Sequence, residues 1–80
     1  MNEIRVQLHF TGLIDIKDRL SGDYITLKEG STLSDLYSQI GIRQEHKKYI
    51  ISMVNEKKEF LHYIVKNNDQ IKLFLPVGGG

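Results

Sequence analysis

The sequence closes on Val77-Gly78-Gly79-Gly80, a triple glycine directly behind the apolar run Ile71-Lys72-Leu73-Phe74-Leu75-Pro76. A buried strand that runs into residues without side chains is expected to hold a backbone carboxylate out in solvent. The Gly80 carboxylate is therefore the candidate reacting group. With an ordinary α-carboxyl pKa of about 3.3 to 3.7 it is ionised at neutral pH and is a poor acyl donor, so acyl chemistry there requires activation first. The preceding residues suit delivery into a narrow channel. Gly78 and Gly79 carry no Cβ and reach conformations closed to other residues. Pro76 stiffens the exit through its fixed φ and donates no hydrogen bond. Fully extended, Pro76, Val77 and the three glycines span roughly 17 Å, enough to place Gly80 inside a partner while the folded body stays outside.

No other group competes for that role. Asp15, Asp18, Glu29 and Asp35 form no paired-carboxylate pattern, and no nucleophile stands with a base, so the chain is expected to be a cosubstrate and no enzyme. His9, His46 and His62 are scattered, and without cysteine partners they give no metal-ligand spacing. Arg43, Lys47 and Lys48 read as a solvated basic loop after a helix, which a chain that docks to an acidic surface could use, and Glu56-Lys57-Lys58-Glu59 as a charged turn.

Composition bounds the rest. Eighty residues, 40% of them hydrophobic, make one small domain. Eleven basic against ten acidic residues leave a net charge of +1, too weak a field to predict nucleic-acid or anionic-lipid binding. The absence of cysteine rules out disulfides and thiolate chemistry and fits a reducing compartment. No signal-peptide pattern opens the chain and no run is long and apolar enough to span a membrane. A cytoplasmic location is expected.

The elements that must hold the terminus follow from periodicity. Ile4, Val6, Leu8 and Phe10 alternate with polar residues as a half-buried strand does. Tyr24 to Lys28 reads as a second strand, and the long connection between them, Thr11 to Asp23, as a segment holding a helical turn that ends at Gly22. Thr32 and Asp35 make a capping box at the start of a helix whose Leu33, Leu36, Tyr37 and Ile40 share one face, with Gly41 as its left-handed stop. Tyr49 to Asn55 reads as a third strand and Phe60 to Val65 as a short edge strand or an irregular segment. Asn67-Asn68-Asp69 is a turn signal before the last strand, where Ile71, Leu73 and Leu75 alternate. The order gives an α+β sheet with one helix packed across it.

Val54-Asn55, Asn68-Asp69-Gln70-Ile71 and Leu73-Phe74-Leu75-Pro76-Val77-Gly78-Gly79-Gly80 resemble the ubiquitin-like sulfur carriers of the MoaD/ThiS type, in particular the small subunit of molybdopterin synthase. Arg19-Leu20-Ser21-Gly22 and Glu29-Gly30-Ser31-Thr32-Leu33 extend the likeness over nearly the whole chain. Asn68 stands where the family usually has a turn glycine, Leu75-Pro76 replaces a frequent Pro-Pro, and Gly78 replaces a frequent alanine. The resemblance implies a β-grasp domain over residues 1–76 and a glycine tail over 77–80. It also implies that a ubiquitin-activating-type adenylyltransferase spends ATP to adenylate Gly80, that a sulfur donor then displaces AMP to leave a thiocarboxylate, and that a larger catalytic synthase subunit receives the sulfur. The chain itself would bind no cofactor. The long Thr11 to Asp23 connection points to the molybdopterin type. Sulfur delivery to thiamine thiazole or to an amino acid, a protein modifier, and an interaction module with an idle tail are the other readings.

In a β-grasp sheet the third strand lies beside the last. If Ile71, Leu73 and Leu75 face the helix, Phe74 faces outward with Ile51 and Met53, and these three form a candidate docking patch.

Overall fold

The computed structural model describes residues 2–10, 16 and 20–75. β1 (Glu3–Phe10) and β2 (Tyr24–Lys28) form where the two strands were expected and pair antiparallel, with Ile4 opposite Leu27 and Val6 opposite Ile25. α1 (Leu33–Gln39) follows, then a 3-10 helix (Gln44–Tyr49), β3 (Ile51–Val54), β4 (Lys57–Glu59) and β5 (Gln70–Phe74). The sheet order is β2-β1-β5-β3-β4. β1 and β5 run parallel at its centre, and every other pairing is antiparallel.

One face of this sheet carries the core. Val6 and Leu8 from β1, Ile25 from β2, and Ile71 and Leu73 from β5 are sealed against Leu33, Leu36, Tyr37 and Ile40 of the helix. Burying each such side chain stabilises the fold by about 1.5 to 3 kcal/mol. The capping box forms as expected: the Asp35 N–H donates to Thr32 Oγ1 at 3.2 Å and the Thr32 N–H to Asp35 Oδ2 at 2.9 Å. Hydrogen bonding to the Thr32 backbone and then to its hydroxyl holds the Asp35 carboxyl below the usual carboxylate range. Gly41 ends the helix at φ +90°, the left-handed conformation it was expected to supply. Asn68 likewise takes φ 71° in the turn before β5.

Three expectations need correction. The third strand starts at Ile51, because Tyr49 closes the 3-10 helix. Glu56 to Glu59 is more than a charged turn: Asn55 and Glu56 both adopt positive φ, 51° and 70°, and this two-residue reversal pairs Lys57–Glu59 with β3 as an edge strand. Lys47 is buried instead of solvated. Its Nζ donates to Ser34 O and Ser34 Oγ at 3.1 Å and to Ser38 Oγ at 2.6 Å, which fastens the 3-10 helix to α1. Residues 60–65 take the irregular alternative. They strap the start of the helix through hydrogen bonds from Leu33 N to Tyr63 O, Ser34 N to Leu61 O and Val65 N to Ser31 O.

The helical turn expected within Thr11 to Asp23 falls largely outside the described residues, as does the 77–80 tail. What is described shows Gly22 N donating to Leu8 O and Leu8 N to Asp23 O, so the segment returns onto β1 immediately before β2.

Candidate docking face and tail exit

β5 ends at Phe74, and Leu75, half-buried against the core, is the last described residue before the tail. The outward positions of β5 and its neighbours then decide what surrounds the exit. In the β3–β5 register Ile51 is opposite Phe74 and Met53 is opposite Lys72. On the far side of β3, Met53 is opposite Lys58, and across β1 Lys72 pairs with His9. Directly opposed residues on one face hold their Cβ atoms about 4.5 to 5.5 Å apart. Phe74, Ile51 and Met53 are thus brought together on the face away from the helix, as expected. Phe74 is 42% exposed, while Ile51 and Met53 are half-buried. Phe60, which sequence reading did not include, follows β4 and is 63% exposed. The remaining expected site residues, Pro76, Val77, Gly78, Gly79 and Gly80, lie outside the described residues.

The patch is framed by cations. Lys72 and Lys58 are exposed on either side of Met53, and Lys58 Nζ sits 5.5 Å from the Phe60 ring centroid. Of the expected basic cluster, Arg43 is exposed and pairs loosely with Glu45 at 3.7 Å. The three histidines stay apart, and among the described residues no cluster of His, Asp and Glu has metal-holding geometry.

The inward side of the same strand ties the sheet to the helix. Ser52 is buried and hydrogen-bonds the Tyr37 hydroxyl of the helix. Burial pushes the Tyr37 hydroxyl pKa up, and the bond to Ser52 partly opposes that. At the opposite end of the β3–β5 pair, Asp69 is 5% exposed and accepts from Asn55 Nδ2 at 2.8 Å, Tyr63 OH at 3.0 Å and the Lys66 N–H at 2.9 Å. Asn55 Oδ1 in turn accepts from the Gln70 N–H at 2.9 Å. Partial burial, then the hydrogen bond to Asp69 and its charge, push the Tyr63 hydroxyl up to about 12. Asn55 and Asp69 belong to the Val-Asn and Asn-Asp segments noted in the sequence. Their type and spacing were visible there, but the bond joining them was not.

A mixed five-stranded sheet with parallel central strands, a helix across one face and the chain leaving from a central strand defines a β-grasp, ubiquitin-like domain. The same fold is seen in a protein of Pyrococcus furiosus described as molybdopterin converting factor, subunit 1. It is 21% identical, with 92% of this chain and 99% of that one aligned at a TM-score of 0.69. SAMP1 from Haloferax volcanii matches at 19% identity over 99% of this chain and 100% of its own, with a TM-score of 0.64. The ThiS family profile matches residues 10–80, and the chain belongs to the ThiS family, whose fold is that of the MoaD/ThiS-type sulfur carriers. A comparison with curated proteins gives no match. Among the described residues no helix is long and apolar enough to cross a membrane.

Proposed function

We propose that this protein is a sulfur carrier for molybdopterin biosynthesis, with the Gly80 carbonyl carbon as the carrying atom. The observation that most supports the sulfur-carrier role is the ThiS family match, which runs from Phe10 at the end of β1 through the terminal glycines. The Pyrococcus furiosus neighbour described as a molybdopterin converting factor subunit and the long connection between β1 and β2 support the choice of acceptor. The family profile itself bears the thiamine-type name and supports a second reading, sulfur delivery to thiamine thiazole, which shares every step but the last.

In this reading a ubiquitin-activating-type adenylyltransferase docks on Phe74, Ile51 and Met53. A Gly80 carboxylate oxygen attacks the α-phosphorus of ATP, and pyrophosphate leaves. A sulfur donor then attacks the acyl carbon, and AMP leaves with the former carboxylate oxygen. The sulfur of the resulting thiocarboxylate attacks a pterin precursor held by a larger synthase subunit, and water cleaves the acyl C–S bond of the thioester so formed, which leaves sulfur on the precursor and returns the chain as a carboxylate. The domain contributes rigidity. Leu75, packed against the core, fixes the last described position before the glycines.

Deletion of Gly80 tests the assignment. Sulfur transfer in the presence of activating enzyme, ATP and sulfur donor is expected to vanish while the thermal unfolding midpoint stays unchanged. Transfer that survives the deletion would contradict it.

A further inference from the structure

Beside the Ile51 end of the sheet, the 3-10 helix, the β3–β4 hairpin and residues 60–62 enclose an open cleft of about 470 Å³. Its floor is apolar and well supported: Tyr37 is buried, and Ile50 and Leu61 are half-buried. Lys48 and Lys58 stand at its rim with His62 and the exposed Phe60 ring, and Glu59 is the one carboxylate in the lining. Among the described residues neither Lys48 nor Lys58 has a carboxylate in ion-pairing range. Their ammonium groups lie instead 5.3 Å from the Tyr49 ring centroid and 5.5 Å from that of Phe60. Lys47, the third lysine of the lining, turns its Nζ to Ser34 and Ser38 and is already satisfied.

These features select an occupant. A small inorganic anion would use the rim and leave the apolar floor wet, and a wholly apolar segment would leave two ammonium groups next to it without counter-charge. We propose that the cleft docks an acidic segment of a partner protein, with one apolar side chain on Ile50 and Leu61 and flanking carboxylates on Lys48 and Lys58. This cleft adjoins the Phe74 patch through Ile51, which lines both, and its occupancy is independent of any chemistry at Gly80. The apolar contact would supply most of the affinity, and the exposed charge pairs would supply orientation and salt dependence.

The test titrates the ¹⁵N-labelled chain with a capped hexapeptide, Asp-Glu-Leu-Phe-Glu-Asp, followed by amide chemical shifts. Saturating shifts are expected at Lys48, Ile50, Lys58 and Phe60, with a dissociation constant below about 1 mM. Binding is expected to weaken roughly tenfold in the Lys48→Glu, Lys58→Glu double variant and again as salt rises from about 50 to 500 mM. Both lysines are exposed, so the variant should keep the parent's dispersed spectrum. Equal binding of the neutral analogue Asn-Gln-Leu-Phe-Gln-Asn would overturn the proposal, as would shifts centred on Met53 and Phe74, or no saturating shift at all. The same shifts from ATP alone would make this a small-anion site, and shifts that track protein concentration without peptide would make it a self-association surface. Either result would end the proposal.

Discussion

At the Val54–Ile71 end of the β3–β5 pair the polar side chains interlock: Asp69 accepts three hydrogen bonds, and Asn55 bonds both Asp69 and the Gln70 N–H. Three residues along, at the Ile51–Phe74 end, an aromatic ring stands 42% exposed, beyond an outward row in which lysines flank Met53 on both sides. The chain turns around at the first end and leaves the sheet at the second. A small domain has few places to store stability, and here the polar store is kept away from the end at which partner docking is proposed. Substitutions at the two ends should therefore divide cleanly between folding and binding.

The largest effect is expected at the closed end. Asp69→Ala leaves three donors without their acceptor in a part-buried site, and urea unfolding should show a loss of about 3 kcal/mol. A loss under about 1 kcal/mol would mean that water replaces the carboxylate and that the contrast between the ends is overstated. Next comes the open end. Phe74→Ala should weaken binding to the activating enzyme about tenfold or more while changing stability by less than about 1 kcal/mol. Equal losses in both would return Phe74 to the core. The smallest effect is a pH dependence. The folded Tyr63 pKa is raised from 10.0 to about 12, so the stability linked to its protonated hydroxyl is complete below about pH 10 and disappears as pH rises through about 12. Unfolding free energies measured across that window should fall less steeply for Tyr63→Phe than for the parent. A residual slope is expected from Tyr37, whose pKa is also raised.

Much of this division was legible in the sequence. Alternation located β1 and β5, since each has one face on the core and one in water, and residues that favour extended structure, Ile25 and Thr26, located β2. The Thr32–Asp35 box located the helix, because a capping box is a short-range pattern. The Ile51–Phe74 patch followed from the two-residue period once the two strands were taken as neighbours. What stayed hidden depends on partners distant in sequence. Lys47 looked solvated because nothing local announces the Ser34 and Ser38 oxygens that bury its ammonium. β4 was missed because Lys57-Lys58-Glu59 has no alternation, and its pairing is dictated by the reversal at Asn55-Glu56. Phe60 joined the open end only through that pairing. The role of Asp69 required knowing that the turn before β5 folds against Asn55 and Tyr63.

The claim that the open end serves a reacting terminus has one direct measurement: the intact mass of the chain after incubation with the activating enzyme, ATP and a sulfur donor. Replacement of one Gly80 oxygen by sulfur predicts a gain of about 16 Da confined to the C-terminal peptide. A terminus that remains unmodified under those conditions, or that appears only joined to lysines of other proteins, would contradict the sulfur-carrier account.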